Sequence, residues 1–257
     1  MKSVMSCLSI CPALLTATLF FSTQSAAESS ADLADKIKAA MQMPYRTEAE
    51  LARDANRTPV AALAFMGLRD DMKVVEFVPS RQAWYTKLLA PVLVDNGKLY
   101  VVDSNSTFES WGDLLQNPAF KNTQKIPIDL SYNREETRYN LGELDLGIND
   151  ADLFLNIREY HNFNAEDKAR LNQTAFETLK SGGRYVVIDH SRRHMQPEQP
   201  PLQRREDPVQ VISEVQTAGF VLEKASDMFH RPDDTLDKEV REFAGRTDRF
   251  FFVFRKP

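Results

Sequence analysis

Between Lys73 and Arg255, short β-rich runs alternate with segments of helical period, and this alternation constrains the fold more than any other feature of the chain. Lys73-Val-Val-Glu-Phe-Val78 is followed by Trp84, Leu88, Leu89, Val92 and Leu93 at helical spacing, which reads as strand, turn, helix. Leu99-Tyr-Val-Val-Asp103 is a second strand. Lys125-Ile-Pro-Ile-Asp129 is a short third whose Pro127 favours an edge, and Ala151-Asp-Leu-Phe-Leu-Asn156 is a fourth. Asn164 caps a helix with Leu171, Ala175, Phe176 and Leu179 on one stripe, expected to close at Gly182-Gly183 ahead of a fifth strand, Arg184–Asp189. Asp207-Pro208 open a further helix that ends at Gly219, before Phe220-Val-Leu222 and the Phe-rich run Arg249–Arg255. Apolar strand centres separated by helices predict an α/β fold, a doubly wound and mostly parallel sheet covered on both faces. The Pro-rich, basic stretch 191–206 is read as an exposed loop whose arginines (192, 193, 204, 205) suit a lid over an anion.

Upstream, residues 28–57 are expected to form a helical N-terminal extension. Leu33, Ile37, Ala40 and Met41 share one face, and Thr47 with Glu50 makes a capping box. Thr58, Pro59 and Gly67 then bound the first helix of the α/β domain, 58–257. Residues 1–27 read as a secretory signal peptide: Lys2, an apolar run from Leu8 to Phe21, and small residues at Ser25 and Ala27, with cleavage expected after Ala27. The expected location is periplasmic or secreted, with no stable membrane insertion after cleavage, because the run is too short for a bilayer and contains Pro12. Cys7 and Cys11 both lie in this segment, so the mature chain is left without disulfides, thiolate nucleophiles or Cys-ligated metal.

A net charge of −5 gives no positive field to concentrate nucleic acid, and 27% charged with 10% aromatic residues excludes a disordered or low-complexity chain. There is no Gly-x-Ser-x-Gly elbow, no phosphate-binding Gly-x-x-x-x-Gly-Lys loop and no His-Glu-x-x-His helix. Asp189, His190 and His194 have the side chains of a metal site. Their loop setting and the flanking arginines argue against one, and no metal is expected.

The segment Val74–Thr86 resembles the acidic-x-x-x-Gly-x-Gly loop of class I S-adenosylmethionine-dependent methyltransferases, although Pro79–Ala83 holds no glycine. Asp103 stands where that family has its ribose-binding acid, Leu179–Asp189 resembles the approach to its fifth strand, and an antiparallel seventh strand is expected at the C-terminus. More narrowly, Trp84–Pro91, Arg158–Asn162, Asp189-His190 and Thr247–Pro257 are similar to a group of exported bacterial predicted methyltransferases. The resemblance implies a seven-stranded Rossmann-like methyltransferase fold and S-adenosyl-L-methionine as cofactor. It also implies cofactor contacts by Glu76, Pro79, Ser80, Ala83, Asp103, Asp129 and Asn156.

In an open parallel sheet, ligands bind beyond the carboxyl ends of the strands, near the point where strand order reverses. Glu76, Asp103, Asp129, Asn156 and Asp189-His190 fall at such ends, with Arg158 and His161 just after the fourth strand. His161 and His190 can move a proton near neutral pH and Arg158 can orient an anionic small molecule, so these three are the candidate catalytic residues. Two readings stand at this point. One is methyl transfer to a small molecule; the other is a periplasmic binding or accessory protein, or a cofactor-independent enzyme, that keeps the scaffold.

Overall fold

In a computed structural model, which describes residues 31–243 and 245–257, the alternation resolves into one central sheet. The proposed signal peptide lies outside the described residues. Strand β1 (Lys73–Phe77) is buried from Val74 onward, as a central strand must be. Around it lie β2 (Lys98–Asp103), β3 (Thr123–Pro127), β6 (Ala151–Ile157), β7 (Leu179–His190), β8 (Val221–Ser226) and β9 (Arg249–Arg255). Their order is β3-β2-β1-β6-β7-β9-β8. All neighbours pair in parallel except β9, which runs antiparallel to both β7 and β8. Strand order reverses between β1 and β6, which makes their carboxyl ends the natural ligand site.

Side-chain alternation splits the core into two layers. Val74, Leu99, Leu153 and Val186 face one side, packed on Ile37, Leu63, Met66, Leu88 and Leu89. Val75, Phe77, Phe154 and Tyr185 face the other, packed on Leu171, Ala175, Val211 and Val215. The first layer draws on α1 (31–41), α4 (Pro59–Met66) and α5 (Thr86–Leu93), the second on α7 (Ala165–Thr178) and α8 (Pro208–Thr217). The capping box is present: Thr47 and Glu50 satisfy each other's backbone N–H at the start of α2 (Glu48–Leu51), which leads into α3 (Asp54–Arg57). Asn164 accepts from Asp167 N–H and Asp207 from Val209 and Gln210 N–H, so both predicted caps hold.

Three local expectations are corrected, and one hairpin is added. α7 stops at Thr178 and β7 begins at once with Leu179. Gly182, at φ 77°, sits within that strand, where the pairing jumps from Ala151↔Leu179 to Leu153↔Arg184. β3 ends at Pro127, which leaves Asp129 beyond it. A hairpin of β4 (Leu130–Asn133) and β5 (Arg138–Leu141), invisible in the sequence because its turn lacks glycine, follows there. Finally, the basic stretch after β7 is exposed over 193–195 and 197–201, as expected, but is fastened at both ends. Ser191 bridges Glu206, Lys168 donates to Glu206 at 2.6 Å, and Arg205, wholly buried, grips Asp234 through two 3.0 Å bonds.

Candidate active site at the sheet switch point

The loop from β1 to α5 is the first wall of the site. Val78, Ser80 and Ala83 take φ of 50°, 61° and 50°, a left-handed conformation that costs a Cβ-bearing residue of the order of 1–3 kcal/mol. The surroundings enforce it. Val78 N–H donates to Val102 O at 2.8 Å, Ser80 N–H to Asp103 Oδ2 at 3.0 Å, and the Trp111 indole to Ser80 O at 3.0 Å. A backbone path of the kind glycines permit is thus held without one. Asp103 also accepts from Ser104 N–H at 2.7 Å, and burial raises its pKa despite these bonds. α6 (Asn105–Ser110), capped by Ser104, starts directly beside it.

The second wall comes from the tips of β6 and β7. Arg158, at φ 66°, turns the chain out of β6, and Tyr160–Asn162 follow as a short 3-10 turn. His161 donates its backbone N–H to Asp189 Oδ2 at 2.9 Å, and its Nδ1 lies 2.8 Å from Asp189 Oδ1. A carboxylate there fixes the proton on Nδ1 and leaves Nε2 as the basic nitrogen facing the cleft. His190 differs. Arg158 Nε donates to its Nε2 at 3.3 Å and Nδ1 donates to Thr247 Oγ1 at 2.6 Å, so both ring nitrogens are taken. Burial, with the nearby Arg158 charge, holds His190 well below the usual histidine range, and it is neutral at physiological pH.

Between the walls lies a cleft of about 990 Å³. Glu76, Pro79, Ser80 and Asp103 line one side; Arg158, Glu159, His161 and His190 line the other. Tyr132 and Tyr139 of the hairpin, Thr247 before β9, and Arg53 and Arg57 complete it. Desolvation raises Glu76 to about 8, against the bond it accepts from Thr86 Oγ1, and Glu159 likewise to about 8. Arg81 is exposed at the edge and does not fill the hollow.

Of the residues selected from sequence, three lie elsewhere. Ala83 is fully buried in the core beside Trp84. Asn156 points beneath the sheet surface, where its Nδ2 donates to the Tyr185 hydroxyl at 3.4 Å, because β6 runs one residue further than read and strand parity turns Asn156 inward. Asp129 is exposed in a shallow adjoining hollow, where its backbone carbonyl accepts from Gly142 N–H. Only Arg204 of the basic loop reaches the cleft, and His194 pairs with Asp207 at 2.9 Å, away from it. The sequence reading missed Glu159, Thr247, Tyr139, Arg53 and Arg57 as site residues, along with Asp189 as the partner of His161. The last was the most accessible, since His161 and Asp189 follow or end adjacent strands.

The fold is similar to that of solved structures. A SAM-dependent methyltransferase from Aquifex aeolicus aligns over 86% of this chain and 97% of its own, at 15% identity and TM-score 0.55. The chain has the class I methyltransferase fold. The methyltransferase likeness extends to the [4+2]-cyclase SpnF, over 91% of this chain and 96% of that one, at 13% identity and TM-score 0.58. Human N-acetylserotonin methyltransferase, in complex with SAM, aligns over 94% of this chain and 60% of its own, at 12% identity and TM-score 0.52. No protein-family model matches the sequence, and no curated protein sequence is significantly similar to it. Among the described residues no helix is long and apolar enough to cross a membrane.

Proposed function

We propose that the chain transfers a methyl group from S-adenosyl-L-methionine to a small molecule, and that it does so outside the cytoplasm. The observation that carries this reading is the convergence of Asp103, His161 and His190 on one cleft at the switch point of a methyltransferase fold. The cleft suits the cofactor: it is at the upper end of the roughly 300–1,000 Å³ usual for small-molecule sites, it is not plugged by Arg81, and an acid stands at the tip of β2. Glu76, Ser80 and Asp103 would hold the nucleoside and amino-acid portions. When bound, the cofactor supplies an electrophilic methyl group and leaves as S-adenosylhomocysteine.

The protein's own share is alignment and proton removal. His161, oriented by Asp189, accepts the acceptor's hydroxyl or amine proton at Nε2, and the imidazolium so formed is stabilised by the Asp189 carboxylate. His190 serves as a positioning residue, because its Nε2 steadies Arg158 in the cleft wall. The location rests on the signal-like residues 1–27. It is tested by sequencing the N-terminus of protein recovered from the periplasm, where Glu28 as first residue is expected.

Calorimetric titration of the mature chain with S-adenosylmethionine and S-adenosylhomocysteine tests the activity at its first requirement. Binding lost in Asp103→Ala supports the reading, and a ligand at 100 times its Kd should stabilise the fold by about 2.7 kcal/mol. No heat and no stabilisation at millimolar ligand overturns it. One feature favours a second reading: Asp103 already accepts from Ser80 N–H, and Cβ atoms stand on the loop where the family has glycines. A binding protein or cofactor-independent enzyme on the same scaffold fits those facts, and SpnF, named a cyclase, is similar in fold.

A further inference from the structure

Arg57 is 8% exposed, lines the cleft, and has neither a hydrogen bond nor a carboxylate within salt-bridge distance among the described residues. Its guanidinium lies 4.4 Å from the Trp84 ring centre and 5.5 Å from that of Tyr85, so aromatic faces rather than an anion hold it in the cleft wall. A cation so deeply buried without an anion is costly, and proteins keep such charges paired. Arg158 and Arg53 line the same cleft and likewise have no carboxylate within salt-bridge distance among the described residues. Arg158 donates Nε to His190, and the Arg53 side chain donates to the Gln82 side chain. Just behind them Arg249 stacks on Phe229 at 4.5 Å. The cleft's acids do not pair with this group: Glu76 and Glu159 sit near pKa 8 and are largely protonated at neutral pH, and Asp103 accepts from the Ser80 and Ser104 N–H groups and forms no salt bridge with these arginines. Burial and mutual repulsion draw Arg57 down to about 9 and Arg249 to about 10, still cationic.

We propose that Arg57 and Arg158, with Arg53 at the rim, seat a carboxylate or phosphate group of the acceptor and hold it beside His161. A planar guanidinium meets either anion through paired N–H donors, which fixes orientation as well as position. The acceptor is thus an anionic small molecule. The term acceptor rests on the methyl-transfer reading; the anion seat itself does not.

The test is calorimetric titration of the mature chain with inorganic phosphate and with citrate at low ionic strength, alone and with saturating S-adenosylhomocysteine. Anion affinity that is the same with and without the nucleoside, and roughly 10- to 100-fold weaker in Arg57→Gln and Arg158→Gln, supports the proposal. Arg57→Lys, which keeps the charge and loses the fork, should fall between. Should Arg57→Gln fail to fold, the half-buried Arg158→Gln decides. Absence of anion binding in the parent, or equal binding by the variants, overturns it. So does competition between anion and nucleoside with nucleoside affinity also lost in Arg57→Gln, because the arginines would then hold the cofactor's own carboxylate. Intact anion binding without any nucleoside binding would instead sink methyl transfer and leave the seat standing.

Discussion

His161 and Asp189 are joined twice, by the backbone N–H of His161 to Oδ2 at 2.9 Å and by its Nδ1 to Oδ1 at 2.8 Å. One carboxylate therefore sets both the place of the residue and the tautomer of its ring. Asp189 also accepts from the His190 N–H at 2.7 Å, so the tips of β6 and β7 share a single anchor.

Removal of the imidazole leaves that anchor in place. His161→Ala is expected to lower turnover by roughly 10²- to 10⁴-fold, with a melting temperature within a few degrees of the parent. Asp189→Asn should reduce turnover too, by releasing the tautomer. A His161→Ala protein that melts far earlier and turns over normally per folded molecule would mean that the ring is only a packing element.

Glu76 and His190 contribute to the pH dependence of stability with opposite signs. Glu76 is raised to about 8 in the fold against roughly 4.3 when unfolded, so the folded chain keeps a proton that the unfolded chain gives up. Its contribution is complete below about pH 4 and is lost as pH rises through 8. His190, held well below the histidine range, contributes fully above about 6.5 and loses that contribution as pH falls further. Glu76→Gln should therefore melt close to the parent at pH 5 and several degrees higher at pH 9. A difference independent of pH, read by thermal denaturation in matched buffers, contradicts this account of Glu76.

Ser80 tests the strained loop. Its φ of 61° suits glycine, and its backbone bonds to Asp103 and Trp111 do not involve the side chain. Ser80→Gly is expected to change stability by less than about 1 kcal/mol, whereas the β-branched Ser80→Val should destabilise by about 1–3 kcal/mol. Urea denaturation measures both. A Ser80→Val protein as stable as the parent would show that the left-handed conformation is not enforced.

Arg205 and Asp234 are both fully buried, and Asp234 also receives Asp248 N–H at 2.7 Å. Asp234→Ala strands the guanidinium and should cost about 3–5 kcal/mol, or roughly 6–20 °C in melting temperature. The double change Arg205→Met with Asp234→Leu should recover part of it. Equal stability of Asp234→Ala and the parent by calorimetry would remove this pair as the clasp of the loop after β7.

Much of the fold was legible because its signals are local. Thr47 with Glu50, Asn164 and Asp207 each announce a helix start through a short side-chain bond, and Val74-Val75 or Leu153-Phe154 divide cleanly between the two core layers. The site was harder. Asn156 was misplaced because β6 continues through Ile157, which leaves Asn156 inside the sheet rather than at its tip, and a sequence gives a strand's end only loosely. Arg57 was hidden for another reason: nothing near it in the chain says that Trp84 will fold over it, and that contact exists only after the N-terminal helices dock on the loop following β1. His161 and Asp189 were readable as neighbours from topology, while their roles needed the distances.

The pairing of β9 between β7 and β8 fixes an order of events during synthesis. β8 leaves the ribosome before β9, yet it has no place on the sheet until β9 has been made and has inserted beside β7. The right-hand edge of the domain must therefore wait, open, for residues 249–255. Until those residues are in place, β7 keeps one backbone edge unpaired and β8 has no neighbour on the sheet.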